Sequence, residues 1–224
     1  MTVTVEPLED PGSGEPAAAE PLYWFQSLGD TGLRLPLSFN PSSAGQSPAT
    51  VLETCRVGEG IAVAQGVDAR KLGEAIHACI GLSFTDPQVL LSEAEIGTIL
   101  SAFNLSAYLS PTAVLQQVAA FHEWLASRWP GAKAHAEIAL QSRLPSGQVA
   151  NGRIDLLLET DSGWVLIDHK SSQSATDRWE QLASEYAAQL SAYAQAVEQA
   201  SGRKVAEQWL LLPVTGGALS IGFS

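Results

Sequence analysis

Residues 152–170 read Gly-Arg-Ile-Asp-Leu-Leu-Leu-Glu-Thr-Asp-Ser-Gly-Trp-Val-Leu-Ile-Asp-His-Lys, and the rest of the chain is organised around them. Two apolar runs, 154–158 and 164–167, flank the polar residues 160–163, which end in a glycine. Short β-prone runs around a polar turn that contains glycine are typical of a β-hairpin. We therefore predict two antiparallel strands joined by a tight turn.

The register of this hairpin decides which side chains meet. A loop of two or four residues places Glu159 opposite Trp164 and, counting outward, Asp155 opposite Asp168. Opposed residues share one face with Cβ atoms about 5 Å apart, and Lys170, two residues beyond Asp168, shares that face. Like charges held opposite each other are destabilising, and a divalent cation between the carboxylates would remove that cost. A loop of odd length would shift the register and separate the aspartates.

The composition limits the class of protein. With 224 residues and 46% hydrophobic content, the chain is long enough for one good core. It has no apolar run near the ~20 residues that span a bilayer and no basic start of the secretory kind, so we expect a cytoplasmic protein without a membrane partner. Its two cysteines, Cys55 and Cys79, are too few for a disulfide framework or an iron–sulfur cluster.

The charge is strongly negative and unevenly distributed. A net charge of −12 argues against a broad nucleic-acid-binding surface. Half of this excess lies in the first 30 residues, which hold six acids and no lysine or arginine. Because residues 1–20 also have the composition of a linker, we predict a flexible acidic tail or linker there and a single domain over 21–224.

Hydrophobic periodicity predicts the elements of that domain. Residues 21–67 hold scattered aromatic residues among many Gly, Pro and Ser, and we expect loops and short strands there. Periods of about 3.6 residues predict helices over about 68–83, 92–103, 111–129 and 177–200. Alternation predicts strands over 134–141, 149–159, 164–169, 205–213 and 218–223, the last at a sheet edge. This order indicates an α+β fold, or an α/β fold with a mixed sheet.

Asp155, Asp168 and Lys170 form the first candidate site. Carboxylate oxygens suit Mg²⁺ or Mn²⁺. Such an ion makes a water molecule more acidic and stabilises charge on phosphoryl oxygens, and a lysine beside it can orient or deprotonate that water. The competing interpretation is a hairpin rimmed by ordinary surface charges, since Asp-x-Lys alone is a weak pattern. The apolar neighbours Leu166 and Ile167 and the predicted pairing with Asp155 favour phosphodiester hydrolysis.

Two further candidates are single residues. His77 lies on the first predicted helix, four residues after Gly73 and on the same face. A glycine there permits another backbone to approach, so the helix could deliver His77 to the hairpin as a metal ligand. A lone histidine is more often bonded to a backbone group. Glu137, a lone acid on an alternating strand, either reaches the metal through water or faces solvent.

Tyr186, Gln189 and Tyr193 share one face of the longest predicted helix. An aromatic stripe at this spacing is usually part of the core. The glutamine is unexpected in a core, because a buried amide needs hydrogen-bond partners. The three side chains could instead position a nucleic-acid backbone or stack on a base.

Together, these motifs resemble those of the PD-(D/E)XK nuclease superfamily. The chain has G-E-A-I-H at 73–77, G-R-I-D at 152–155, D-H-K-S at 168–171 and Y-A-A-Q-L-S-A-Y at 186–193, in that superfamily's order. The most similar branch is the RecB/AddA-type nuclease domain at the C-terminus of helicase-nucleases, and the resemblance covers about residues 70–213. It implies a restriction-endonuclease-like core, with a central mixed sheet flanked by helices and extra N-terminal helices.

The resemblance also implies a role for each motif residue. The implied ligands of Mg²⁺ or Mn²⁺ are the side chains of His77, Asp155 and Asp168 and the main-chain carbonyl of His169. The implied catalytic lysine is Lys170. The residues implied to contact DNA or support the active site are Tyr186, Gln189, Tyr193 and Glu137.

On this resemblance, we expect a metal-dependent deoxyribonuclease, an exonuclease more than an endonuclease, of a DNA repair and recombination helicase-nuclease. Some relatives carry four cysteines for an iron–sulfur cluster, which this chain cannot supply. It also lacks the Gly-x-x-x-x-Gly-Lys-Ser/Thr phosphate loop of a motor. We therefore expect DNA, single-stranded or at an end, as substrate, and a helicase motor, fused or as a separate subunit, that supplies the basic DNA track. One alternative is an inactive nuclease fold that binds DNA or docks a protein. Another is a small-molecule hydrolase or another metal protein, which would need a closed pocket.

Overall fold

The computed structural model describes residues 38–41, 45–85, 91–143, 147–174 and 176–223. The predicted tail over 1–20, and most of the turn expected at 145–147, lie outside these ranges. The strands are β1 (Ser38–Phe39), β2 (Thr50–Arg56), β3 (Lys133–Arg143), β4 (Val149–Thr160), β5 (Gly163–His169), β6 (Val205–Leu212) and β7 (Gly217–Gly222). The helices are α1 (Ala69–Ser83), α2 (Glu93–Ala102), α3 (Pro111–Arg128) and α4 (Trp179–Ser201), with a 3-10 turn at Thr176–Arg178 before α4.

The strands form one mixed sheet in the order β1, β4, β5, β6, β7, β2, and β3 also pairs with β4. The pairs β1–β4 and β5–β6 are parallel, and the other pairs are antiparallel. The predicted mixed sheet is therefore confirmed. The prediction that 218–223 form an edge strand is wrong, because β2 pairs along β7 from Thr50 opposite Gly222 to Arg56 opposite Gly217.

The β4–β5 hairpin has the predicted register. Glu159 lies opposite Trp164 and Leu156 opposite Ile167, across a two-residue loop. The paired ladder ends at Leu156 and Ile167, so Asp155 and Asp168 are the next residues outward on their strands. The hairpin therefore brings the two aspartates to the end of the paired ladder.

Local hydrogen bonds explain where the helices begin and end. The Asp68 side chain accepts hydrogen bonds from the backbone N–H groups of Arg70 and Lys71, at 2.9 and 3.1 Å, and so caps α1. A capping box between Ser92 and Glu95 starts α2. Gly202 ends α4 with a φ of 68°, a conformation that favours glycine. These boundaries agree with the helices predicted from the sequence to within a few residues.

Apolar side chains bury both faces of the sheet. Leu156, Ile167 and Trp209 belong to the cluster that includes residues of α1, α2 and α3. Leu166 and Leu210 belong to the cluster on the α4 side. Helices thus flank a central mixed sheet, as predicted. The end of β5 that carries Asp168 and His169 lies between the helical layers. Within the described part of the chain, no helix combines the length and apolar character needed to cross a membrane.

Candidate active site

Asp168 and Lys170 form a close ion pair at the end of β5. Lys170 Nζ lies 2.8 Å from Asp168 Oδ2, and the Asp168 side chain is only 2% exposed. Burial and then the nearby charge of Asp155 raise the pKa of Asp168 to about 6, although Lys170 opposes the shift. Burial would lower the pKa of Lys170, but the charges of the two aspartates outweigh it and raise that pKa. Lys170 is therefore charged in this arrangement.

Asp155 is held on the other side of the site by His169. Asp155 Oδ2 accepts a hydrogen bond from the backbone N–H of His169 at 2.9 Å, and His169 Nδ1 lies 3.0 Å from the same oxygen. Burial would raise the pKa of Asp155, but the charge of His169 and these contacts outweigh it and lower that pKa to about 2. The same interactions raise the pKa of the buried His169 ring against the effect of its own burial. Asp155 is therefore ionised at neutral pH, whereas the pKa of Asp168 lies much closer to neutral pH.

His77 is delivered to this cluster by α1. Its Nδ1 lies 3.6 Å from Asp155 Oδ1, and its ring stacks on that of His169 with centroids 4.5 Å apart. The prediction that Gly73 permits the close approach is wrong, since a Cβ there would meet nothing within 4 Å. The close glycine is Gly81, one helical turn beyond His77, where a Cβ would lie 3.2 Å from Glu137 Oε1.

Glu137 contacts the far edge of the His77 ring. Its Oε1 lies 2.7 Å from His77 Nε2, and its Oε2 accepts a hydrogen bond from Arg153 Nη1 at 3.2 Å. The expectation that Glu137 faces solvent does not hold, because its side chain is only 28% exposed and both oxygens face charged or polar groups. Its backbone φ is 56°, which is unfavourable for a residue with a side chain.

Helix α4, which packs on the face of the sheet opposite to α1, contacts Asp168 and Lys170. Gln189 Nε2 donates a hydrogen bond to Asp168 Oδ1 at 2.8 Å, and Gln189 is only 5% exposed. Lys170 Nζ lies 4.7 Å from the centre of the Tyr186 ring, a cation–π distance. Tyr193 is buried against Gly152, and the backbone of Arg153 hydrogen-bonds its hydroxyl. In this arrangement the side chains of Gln189, Tyr186 and Tyr193 contact other residues of the site.

The candidate residues thus fall into two adjoining groups. Ligand atoms of His77, Asp155 and His169 lie within 4.8 Å of one another, and that cluster does not include Asp168. Asp168 instead contacts Lys170 and Gln189. Sequence reasoning missed the His169 imidazole, which it considered only through its main-chain carbonyl. The available signal was a histidine between two residues that carry chemistry, but its contacts depend on how β5 lies beside β4 and against α1.

The donor set fits a divalent cation. Asp168 Oδ2 is buried and accepts no aligned hydrogen bond among the described residues, although Lys170 lies close to it. Lys170 balances part of the charge of this oxygen, and a divalent cation would be a further favourable partner for it. Carboxylates with one or two imidazoles suit Mn²⁺ as well as Mg²⁺. The residues that could hold the ion are His77, Asp155, His169 and Asp168.

A separate cavity of about 730 Å³ lies between α1, α3 and β3. Its lining includes Phe84, Leu115, Val118 and His122, and it does not include Asp155, Asp168 or Lys170. The Asp168–Lys170 pair is therefore not part of this cavity, which removes one argument for a small-molecule hydrolase built on those residues.

The fold and this arrangement of residues define a class of protein. The mixed sheet carries two buried aspartates at the end of a hairpin, with a lysine beside them. A helix packed behind them carries a glutamine that bonds one of these aspartates. The sequence pattern of the PD-(D/E)XK nuclease superfamily matches residues 53–223, well over half of the chain. The chain belongs to the PD-(D/E)XK nuclease superfamily, and the resemblance predicted from its motifs is confirmed.

Curated relatives agree with the predicted branch, since each is an ATP-dependent helicase/nuclease subunit. The chain is 41% identical over 64 residues to that of Pelotomaculum thermopropionicum, a match that covers 29% of this chain and 5% of that protein. It is 34% identical over 90 residues to that of Desulforudis audaxviator, covering 40% of this chain and 7% of that protein. A third match, to that of Carboxydothermus hydrogenoformans, is 39% identical over 62 residues, covering 28% of this chain and 5% of that protein. These matches therefore span only a small fraction of each relative.

Proposed function

We propose that the chain is a divalent-metal-dependent deoxyribonuclease domain that hydrolyses phosphodiester bonds. The observation that carries the proposal is the meeting of Asp155, Asp168 and Lys170 at the end of the β4–β5 hairpin, in a chain of nuclease ancestry. The proposed ligands are the side chains of His77, Asp155 and Asp168 with the main-chain carbonyl of His169. When bound, Mg²⁺ or Mn²⁺ supplies positive charge that stabilises the phosphoryl oxygens and makes a nearby water more acidic.

The chain's own residues prepare this reaction. His169 keeps Asp155 ionised, so that carboxylate is ready to bind a cation at neutral pH. Gln189 fixes one oxygen of Asp168 and leaves Oδ2 toward Lys170. The charged Lys170, held between Asp168 and the Tyr186 ring, can donate hydrogen bonds to the attacking water or to a phosphate oxygen. We propose Lys170 as the catalytic lysine and Tyr186, Gln189 and Tyr193 as residues that support the site or contact DNA.

The proposed setting is the exonuclease domain of a RecB/AddA-like helicase-nuclease in DNA repair and recombination. The partial matches to ATP-dependent helicase/nuclease proteins support this setting. The net charge of −12 leaves little positive surface for DNA in this chain. A helicase motor, fused to the domain or bound as a separate subunit, would supply the basic track and feed a single strand or an end to the site.

The direct test is incubation with end-labelled linear single- and double-stranded DNA, with Mg²⁺ or Mn²⁺ or with EDTA. We expect shortening of linear DNA with at least one ion and none with EDTA, while circular single strands stay intact. The Asp168→Ala variant, purified in parallel, controls for contaminating nucleases. A folded protein that binds Mn²⁺ but cleaves no DNA would support the inactive-module alternative, and cutting of circles would contradict the exonuclease assignment.

A further inference from the structure

His77, which faces Asp155, also contacts Glu137 through the other nitrogen of its ring. Nδ1 and Nε2 lie on different edges of an imidazole ring, so His77 can face two partners at once. Its Nδ1 is 3.6 Å from Asp155 Oδ1, and its Nε2 is 2.7 Å from Glu137 Oε1. Glu137 is thus on the side of the ring away from Asp155.

The Glu137 carboxylate is held in place by its surroundings. Arg153 donates a hydrogen bond to its other oxygen, and the absence of a side chain at Gly81 leaves room for Oε1 on the face of α1. No described residue donates an aligned hydrogen bond to Oε1, although His77 Nε2 lies 2.7 Å from it. Oε1 is therefore a buried carboxylate oxygen whose nearest ring nitrogen is His77 Nε2, and a proton on that nitrogen is the donor it lacks.

The backbone at Glu137 is strained in a way that serves this contact. Ala136 pairs with Leu156 and Ile138 pairs with Ile154, but Glu137 between them leaves the ladder with a φ of 56°. Such a conformation is unfavourable for a residue other than glycine and persists only where the surroundings enforce it. The deviation falls next to Asp155, where the side chain of Glu137 turns to His77.

We propose that Glu137 is a positioning residue that holds the His77 imidazole with its proton on Nε2 and its Nδ1 lone pair directed at the cation site. This inference rests on the proposed function, because it assigns His77 Nδ1 as the ligand atom. Histidines that bind metals generally donate their other ring N–H to a carboxylate or carbonyl, which fixes the tautomer and the ring orientation. Glu137 supplies that acceptor from β3, and it is not itself a ligand.

The first test is ¹⁵N NMR spectroscopy of the imidazole nitrogens in the ¹⁵N-labelled protein. It is recorded in EDTA, at an alkaline pH where imidazoles are neutral. The His77 signals are identified by their loss in His77→Ala. We expect a protonated Nε2 and an unprotonated Nδ1 in the unmodified chain and in Glu137→Gln, whose amide oxygen still accepts a hydrogen bond. In Glu137→Ala we expect a mixture of tautomers. A protonated Nδ1 in the unmodified chain, or an unchanged tautomer in Glu137→Ala, would overturn the proposal.

The second test is calorimetric titration of the same proteins with Mn²⁺ alone. Loss of an outer partner of a metal-binding histidine weakens metal affinity about 10- to 100-fold, and we expect that loss in Glu137→Ala with a smaller one in Glu137→Gln. Glu74→Ala is the matched control, because Glu74 is an exposed carboxylate on α1, the helix that carries His77, and its partner is Arg70. Equal, complete loss in Glu137→Gln and Glu137→Ala would identify Glu137 as a ligand and overturn the proposal. If the unmodified chain bound no Mn²⁺, the proposed function would fail, whereas the tautomer test would still judge the Glu137–His77 contact.

Discussion

The ring of Tyr193 lies so close to Gly152 that a Cβ at residue 152 would sit 2.7 Å from Tyr193 Cε1 and 2.9 Å from its hydroxyl oxygen. This contact joins the glycine that opens the G-R-I-D motif to the tyrosine that ends the motif on α4. The Tyr193 ring is buried, and the backbone of Arg153 hydrogen-bonds its hydroxyl. Packing thus joins these two motifs, and the Gln189–Asp168 hydrogen bond joins the α4 motif to D-H-K-S.

Gly152→Ala is expected to destabilise the fold. Gly152 does not have a positive φ, so the effect is steric, and forcing a methyl group against a buried ring costs about 1–3 kcal/mol. Urea unfolding followed by circular dichroism measures the change. Gly73→Ala is the matched control, because a Cβ there meets nothing within 4 Å and a helical alanine stabilises by about 0.5–1 kcal/mol. Equal stability of Gly152→Ala and the unmodified chain would contradict the packing described.

Several parts of the fold could be predicted because their causes are local. The hairpin register follows from two apolar runs around a short polar turn with an even number of loop residues, and the start of α1 follows from the Asp68 cap. The pairing of β2 with β7 joins residues far apart in sequence, and no local pattern specifies it. For that reason 218–223 were wrongly predicted to be an edge strand.

The site was predictable in its composition more than in its contacts. Asp155, Asp168, His169 and Lys170 lie on one hairpin or directly after it, whereas the Glu137–His77 contact requires β3 and α1 to pack together. Helical spacing predicts the close approach at Gly73, but the contact falls on Gly81. Spacing specifies the face of a helix and does not specify the position along its axis at which a neighbouring element packs.

Mn²⁺ affinity is expected to fall as the pH is lowered through about 6. Burial and the charge of Asp155 raise the pKa of Asp168 to about 6, and a carboxyl group must be ionised to bind a metal. Below that pH a proton competes with the ion, and affinity drops by up to about tenfold per pH unit for one proton. Calorimetric titrations at a series of pH values would follow this loss. Constant affinity from pH 5 to 7 would argue against Asp168 as a ligand.

Gln189→Ala is expected to raise the pH at which Mn²⁺ binding is half lost. Gln189 donates a hydrogen bond to Asp168 Oδ1, and removing a donor to a carboxylate favours its protonated form. The midpoint of Mn²⁺ binding against pH should therefore rise. Gln195→Ala is the control, since Gln195 lies on the same helix and is exposed. A midpoint that stays in place in Gln189→Ala would show that this hydrogen bond does not tune Asp168.

Lys170→Ala is expected to lose DNA cleavage while keeping the fold. A positioned proton donor or acceptor contributes about 10²- to 10⁴-fold to rate, and Lys170 is the cation next to Asp168. Cleavage of labelled DNA gives the rate, and circular dichroism checks the fold. Lys133→Ala, a change at an exposed lysine on β3, serves as the control. Full activity in Lys170→Ala would reject its catalytic role.

The central claim is that one divalent ion is shared by Asp155 and Asp168, although the close cluster of ligand atoms contains Asp155 and two histidines. Calorimetric titration of Asp168→Ala with Mn²⁺ tests it most directly, with Asp155→Ala in parallel and Asp168→Asn as a variant of nearly unchanged shape. We predict that the unmodified chain binds Mn²⁺ and that each of these variants loses that binding. Undiminished Mn²⁺ binding by folded Asp168→Ala and Asp168→Asn would contradict the claim, because the ion would then belong to Asp155 and the histidines alone.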